Sequence, residues 1–308
     1  MDVGQGDCIL LTNSDQVMLI DAGDVGAGQV IIPYLKSRGI KKIDYLLLTH
    51  PHKDHIGSAV DVIDSFDIGT IYMSGKLATT KTFEKLLDKI DDKSIETIIP
   101  DVEDKISFGD CDTQIIGPVK EYDDLNNNSL VLKITYGNTR FLFTGDMEKE
   151  SEMDIIETKI SLKADVLKVA HHGSSGSSTG KFLNEVNPEI SIISCGKDND
   201  YGHPHAELLD KLTNIKSQVY RTDVSETVVV ISDGNNIKIN NDTVIMQPDN
   251  NDKIIDKENN MVYIGNKNSK KFHLESCNSL PKESNRVYFK TREEAIEKGY
   301  EPCSRCNP

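Results

Sequence analysis

The stretch from Leu46 to Asp61, LLLTHPHKDHIGSAVD, sets His50, His52, Asp54 and His55 within six positions. Histidine is scarce elsewhere, with eight in 308 residues, so three in one hexapeptide are more than background. Imidazole and carboxylate together are a ligand set that suits zinc, manganese or iron. The competing reading is a polar strand-to-helix turn whose histidines only cap and hydrogen-bond, and one loop rarely needs three imidazoles for that. Further residues of the same kind recur along the chain: Asp21 in LIDAG, Asp146 in FTGD, His171 and His172 in AHHGSS, and His203 and His205 in YGHPH.

Asp21, the His50–His55 group, Asp146 and His171 each stand just past an apolar, strand-like run. Side chains at such strand ends converge on one sheet edge, where α/β proteins place their sites. The periodicity predicts strands over 8–12, 17–20, 43–49 and 68–73, and helices over 30–38, 56–66 and 80–90. Residues 105–117 read as two short strands around Gly109-Asp110. Residues 129–136 and 139–144 read as a hairpin across Gly137-Asn138. A strand over 165–170, a helix over 179–186, a strand over 189–194, a helix over 206–212, a strand over 217–222 and a last hairpin over 227–239 follow. This alternation is that of an α/β protein.

Composition sets outer limits. The net charge is −15, which argues against broad electrostatic binding of a phosphate backbone. No apolar stretch is long enough to span a membrane, so a soluble protein is expected, cytoplasmic or secreted. Residues 1–7 read as the end of a strand and its turn with no strand before them, so the chain is expected to lack its natural N-terminus. Residues 247–260, QPDNNDKIIDKENN, are polar and read as a linker between a body, 1–246, and a module, 261–308. Cys8, Cys111 and Cys195 sit in apolar settings and read as buried thiols. The module holds His273, Cys277, Cys303 and Cys306, two pairs separated by a 25-residue gap. That is a closed tetrahedral zinc set, with disulfides or free thiols as the alternative. So small a module has little core, and a metal would supply the missing stability.

HPHKDH, with LIDAG before it and FTGD and a strand-borne histidine after it, resembles the metallo-β-lactamase-fold hydrolases over almost all of residues 1–240. More narrowly, MDVGQGDCILL, THPHKDHIGS, NNNSLVLKITYGNTRFLFTGDME, ADVLKVAHHGSSGSS and YGHPHAELL resemble the soluble hydrolase domain of ComEC/Rec2-type competence proteins, without their membrane channel. The resemblance implies a four-layer αββα sandwich with a dinuclear metal site at one edge. It implies His50 and His52 on one ion, Asp54, His55 and His171 on the other, Asp146 bridging, and Asp21 orienting the cluster from behind. Many members supply another histidine to the first ion from the segment before the bridging aspartate. Here no histidine lies between His55 and His171; Asn126-Asn127-Asn128-Ser129 stands instead, so that ion is expected to be more solvent-ligated or closed by Asn128. The module resembles the zinc domain of Ada-type DNA-repair proteins, with His273 in place of the methyl-accepting cysteine. This implies a structural zinc and a structural or binding role, not methyl transfer. Its Lys267, Lys270, Lys271, Arg286, Lys290 and Arg292 form either a nucleic-acid contact or a solvated surface.

The expected function is therefore that of a metal-dependent hydrolase. It would be a phosphodiesterase acting on DNA through a hydroxide activated by two divalent ions, Zn²⁺ or Mn²⁺. Asp54, Asp146 and His203 are the catalytic candidates. His203 or His205 would protonate the leaving oxygen or bind a substrate oxygen. His172 reads equally as a structural histidine. Ser174 and the glycine-serine run after it read either as an anion cradle or as a linker and helix cap. Two alternatives stand beside this: a hydrolase of another phosphodiester, such as a phosphocholine or nucleotide ester, and a non-catalytic DNA-binding or scaffold protein. The intact ligand motifs disfavour the latter.

Overall fold

Leu19, Leu46 and Leu48 pack on one side of their sheet, whereas Met18, Ile20 and Leu47 pack on the other. This two-residue period, apolar on both faces, is what a sheet buried between two layers requires. The computed structural model describes residues 1–240 and 263–306, apart from 274–276, 278, 283–284, 290–291 and 304. The expected linker, 247–260, and Lys290 lie outside the described residues. The chain divides into two units, Met1–Asp249 and Asn250–Pro308.

In the first unit, strands β1 (Ile9–Asn13), β2 (Gln16–Ile20), β3 (Lys42–Leu48), β4 (Asp67–Met73) and β5 (Glu96–Ile98) form one sheet in sequence order. From β2 onward its neighbours are parallel. A second sheet has the order β11-β10-β9-β8-β7-β6, with β6 (Asp112–Gly117), β7 (Val131–Tyr136), β8 (Thr139–Phe143), β9 (Val166–Lys168), β10 (Ile190–Ile193) and β11 (Gln218–Arg221). Met18, Ile20, Leu47, Phe108, Ile115, Leu132 and Phe143 fill the space between the sheets. Helices α1 (Gly28–Ser37), α3 (Ala59–Ser65) and α4 (Lys81–Asp92) cover the first sheet with the core around Ile31, Leu35, Val62 and Leu86. Helices α5 (Lys149–Glu157), α6 (Gly180–Val186) and α7 (Ala206–Asn214) cover the second with Ile155, Phe182, Leu208 and Leu212. The result is the four-layer αββα sandwich.

Three local expectations differ from what the chain does. The helix after the histidine motif breaks into α2 (Lys53–Ile56) and α3. The backbone at Asp24 and Val25 lies where a Cβ on Gly57 would be, and Ser58 Oγ is held between Asp24 O and Gly28 N, so the chain bends against the Asp21–Gly28 loop. Residues 105–111 form only isolated bridges, Lys105 to Gln114 and Phe108 to Cys111, leaving one strand where two were expected. The short β5 was not foreseen. Two of its three residues are exposed, which leaves no alternating pattern to read.

The expected last hairpin is β12 (Val230–Ser232) with β13 (Ile237–Ile239). In the second unit, strands β14 (Tyr263–Asn266), β15 (Lys271–His273), β16 (Arg286–Phe289) and β17 (Glu301–Pro302) form a sheet in the order β16-β14-β15-β17. Its core is Phe272, Phe289, Ala295 and Tyr300.

Candidate metal-dependent active site

β2, β3, β8 and β9 deliver Asp21, His50, Asp146 and His171 to one edge of the sandwich, and Asp146 is their centre. Around its Oδ2 stand Nε2 of His55 at 3.2 Å, His172 at 3.3 Å, His171 at 3.8 Å and His50 at 4.0 Å. Asp54 Oδ2 meets His172 Nε2 at 3.2 Å, and His52 Nδ1 meets His50 Nε2 at 3.0 Å. Asp54, His55, Asp146 and His172 bring one ligand atom each within 4.8 Å of one another.

The other nitrogen of three of these rings is fixed from behind. His55 Nδ1 lies 2.7 Å from Asp21 Oδ2, and Asp21 accepts from Thr49 N at 2.8 Å and Thr49 Oγ1 at 2.7 Å. His50 Nδ1 faces Thr49 Oγ1 and Ser129 Oγ, both at 3.2 Å. His172 Nδ1 is 2.9 Å from Ser194 O. His171 Nδ1 lies 3.1 Å from Glu148 Oε1 but without hydrogen-bond geometry. Holding Nδ1 so that Nε2 points inward is how proteins orient metal-ligating imidazoles. The backbone is strained to achieve it: Asp21, His171 and His172 have φ of 58°, 50° and 52°, the left-handed region that side chains disfavour. At Gly145, φ +50°, an added Cβ would lie 2.9 Å from Ser129 Cβ and 3.0 Å from Thr49 Cβ, so only glycine lets Asp146 approach so closely.

The charge balance calls for a cation. Burial alone would lower the imidazoles of His55 and His172, yet the surrounding carboxylates, Asp146 foremost, hold both well above the ordinary histidine range. Burial would raise Asp54, but His172 and His55 hold it at about 2. His50 is driven well below its range by burial and by His55. His55 Nε2 and Asp146 Oδ1 are buried without a hydrogen-bond partner, a state that costs about 1–3 kcal/mol per atom. A divalent ion relieves both conditions, so the residues fit the metal that the donor set implies.

Other expected residues lie apart from this convergence. His203, nearly buried, has no partner at Nδ1, and its ring centre is 5.6 Å from that of His171. Burial and the neighbouring His171, His172 and His205 push its pKa down to about 4. His205 is a clamp: Nδ1 accepts from Ser175 N at 2.9 Å, and Nε2 meets Tyr201 O at 3.2 Å. Asn128 does not face the metal cluster. Its side chain bonds Tyr122 N, Tyr122 O and Asp124 O and closes its own loop, and Ser129 Oγ reaches His50 instead. The anion-cradle reading of the loop at Ser174 is corrected, because the N–H groups of residues 174–179 all donate within the protein. Buried Glu152 takes the last two of them, at Ser178 and Thr179.

Sequence reasoning did not single out Asp7 and Lys168. Lys168 Nζ lies 2.6 Å from Asp7 Oδ2 and 2.9 Å from Val169 O, almost entirely buried. Burial would raise Asp7, and Lys168 holds it far below the carboxylate range. Asp7 Oδ1 is 3.5 Å from His172 Nδ1, so this ion pair backs the site. The available signal was a lone lysine inside the apolar run DVLKVA.

In the second unit, His273, Cys277, Cys303 and Cys306 bring their ligand atoms within 4.8 Å of one another. No cysteine is in a disulfide. The Arg305 N–H directed at Cys303 Sγ draws that thiol below its ordinary range, and burial draws His273 down, both in the direction that favours metal ligation.

The metallo-beta-lactamase superfamily model matches residues 1–197. The chain belongs to that superfamily. Residues 251–308 match the metal binding domain of Ada. ComE operon protein 3 of Bacillus subtilis is 32% identical over 247 residues, covering 74% of this chain and 32% of that protein. Competence protein ComA of Neisseria gonorrhoeae is 31% identical over 228 residues, covering 73% and 30%. The chain thus spans about a third of the length of these relatives. Among solved structures, a mutant of CmlA beta-hydroxylase superposes with a TM-score of 0.50 at 13% identity, covering 71% of this chain and 51% of that one, a likeness of fold alone. No helix among the described residues is long and apolar enough to cross a membrane.

Proposed function

We propose that residues 1–246 form a phosphodiesterase that cleaves DNA at a dinuclear metal site, and that residues 261–308 form a module built on a structural zinc. The observation that carries the reading is the approach of four imidazole Nε2 atoms to one oxygen of Asp146, within 3.2 to 4.0 Å. Asp54, His55 and His172 hold one ion in this reading, His50 and His52 the other, and Asp146 is shared. His171, given to the second ion by the family resemblance, becomes the candidate for the third imidazole that the segment between His55 and Asp146 lacks. Bound there, two divalent ions, Zn²⁺ or Mn²⁺, would activate a water for attack and offset phosphate charge. The chain's own groups do the rest. Asp21 and Thr49 fix the His55 tautomer, the Asp7–Lys168 pair backs His172, and His203 offers a ring N–H to a substrate oxygen.

DNA is favoured because the relatives carry the names of competence and recombination proteins. The test pairs metal content with cleavage of single-stranded DNA, duplex DNA and a small phosphodiester, with added Mn²⁺ or Zn²⁺. Turnover should vanish in His52→Ala and Asp146→Ala while the C-terminal zinc stays bound. Equal turnover in wild type and Asp146→Ala rejects the reading. Turnover of the small ester without DNA cleavage assigns the site to another phosphodiester.

A further inference from the structure

Tyr201 is 66% exposed, although the backbone of the loop that carries it is tied by several hydrogen bonds. Asn199 Oδ1 accepts from Tyr201 N at 3.2 Å and His203 N at 2.9 Å, and Asn199 Nδ2 donates to Gly196 O at 2.9 Å and His203 O at 2.6 Å. His205 Nε2 meets Tyr201 O at 3.2 Å. The Tyr201 ring stacks on His203, centroids 5.5 Å apart and planes 21° from parallel. His203 in turn lies 5.6 Å from His171 and 6.3 Å from His172, ring centre to ring centre. A large, exposed aromatic face is thus carried by a tied loop beside the metal cluster, with His203 behind it.

An exposed tyrosine is ordinary; this one sits on a loop whose backbone is tied at both Tyr201 N and Tyr201 O, and its ring stacks on His203 beside the metal cluster. Part of the ordering cost of a recognition surface, that of the loop, is thereby met in the free protein. The charge of the chain narrows what it recognises. With a net charge of −15, the chain away from the metal cluster does not attract a phosphate backbone, so contacts to the bases gain weight in holding a polyanion. Stacking of a base on an aromatic ring is neutral and indifferent to sequence. Duplex bases are not free to stack on a protein ring; those of a single strand are.

We propose that Tyr201, with its other face backed by His203, is a base-stacking platform that seats an unpaired nucleotide next to the scissile phosphate, making single-stranded nucleic acid the preferred substrate. This rests on the phosphodiesterase reading but is tested apart from it. The chain contains no tryptophan, so Tyr201→Trp in the full, metal-loaded protein introduces a single reporter at the platform. Its fluorescence is followed by stopped flow, before turnover, on mixing with oligothymidylate of about ten nucleotides, with an abasic strand of equal length and with a duplex.

The expected result is saturable quenching by the single strand and little by the abasic strand or the duplex. In parallel, Tyr201→Ala should weaken single-strand binding by roughly 5- to 100-fold, down to the abasic level, while Tyr201→Phe keeps it. Equal quenching by normal and abasic strands, absence of quenching, or unchanged binding in Tyr201→Ala overturns the proposal. Base-dependent quenching in a protein that cleaves no phosphodiester would sink the hydrolytic reading and leave the platform standing.

Discussion

At the C-terminal unit, three thiols and one imidazole bring four ligand atoms together with no carboxylate among them; at the sandwich edge, two imidazoles and two carboxylates do so, with His50, His52 and His171 standing beside them. The first set has the four ligands of a closed tetrahedral zinc, and it sits in a unit whose described core cluster is small, Phe272, Phe289, Ala295 and Tyr300. The second is over-supplied with donors, is propped from behind by Asp21, Thr49, Ser129 and Ser194, and carries backbone strain at three residues. It stands beside three large apolar cores. A zinc at the first cluster would hold its fold together, whereas a metal at the second would be held by the fold.

The comparison breaks most visibly on chelation. Stripping metal should unfold the C-terminal unit, whose zinc contributes on the order of 10 kcal/mol, and leave the sandwich folded. Amide exchange resolved by unit reads this directly, and unfolding of both units together would refute it. Next in size, Asp146→Asn should lower kcat/KM for a phosphodiester by about 10³-fold, ~4 kcal/mol, with the fold kept. Steady-state kinetics beside a melting curve decides it. Asp21→Asn, which touches no ion, should weaken metal affinity at the sandwich edge by about 10- to 100-fold and leave the thiolate zinc untouched; metal-competition titration measures both.

The smallest effect concerns the other thiols. Burial pushes Cys8 and Cys195 up to about 12. Their neutral form therefore stabilises the fold fully below the unfolded thiol pKa of about 8.5, and that contribution is lost as the pH climbs toward 12. At pH 8 iodoacetamide should spare both while the fold stands, and it should reach Cys277, Cys303 and Cys306 once zinc is removed. Mass spectrometry of the alkylated peptides tests this.

The motif HPHKDH and the strand ends at Asp21, Asp146 and His171 were legible because a period of two in an apolar run marks where a buried strand stops. The convergence of His273, Cys277, Cys303 and Cys306 was legible from spacing alone. What escaped reading depends on side-chain direction. Nothing in AHHG says which imidazole turns toward Asp54, since two consecutive left-handed residues decide it. Asn128 and Ser129 are equally polar in sequence, yet one closes its own loop and the other backs His50. Lys168 and Asp7 pair across 161 positions, a contact no local pattern contains.

The central claim is that Asp146 is shared by two ions. Electron paramagnetic resonance of the Mn²⁺-loaded protein tests it most directly. Wild type should give the spectrum of an exchange-coupled pair, and Asp146→Asn that of isolated ions. Isolated ions in wild type, at full metal loading, would contradict it.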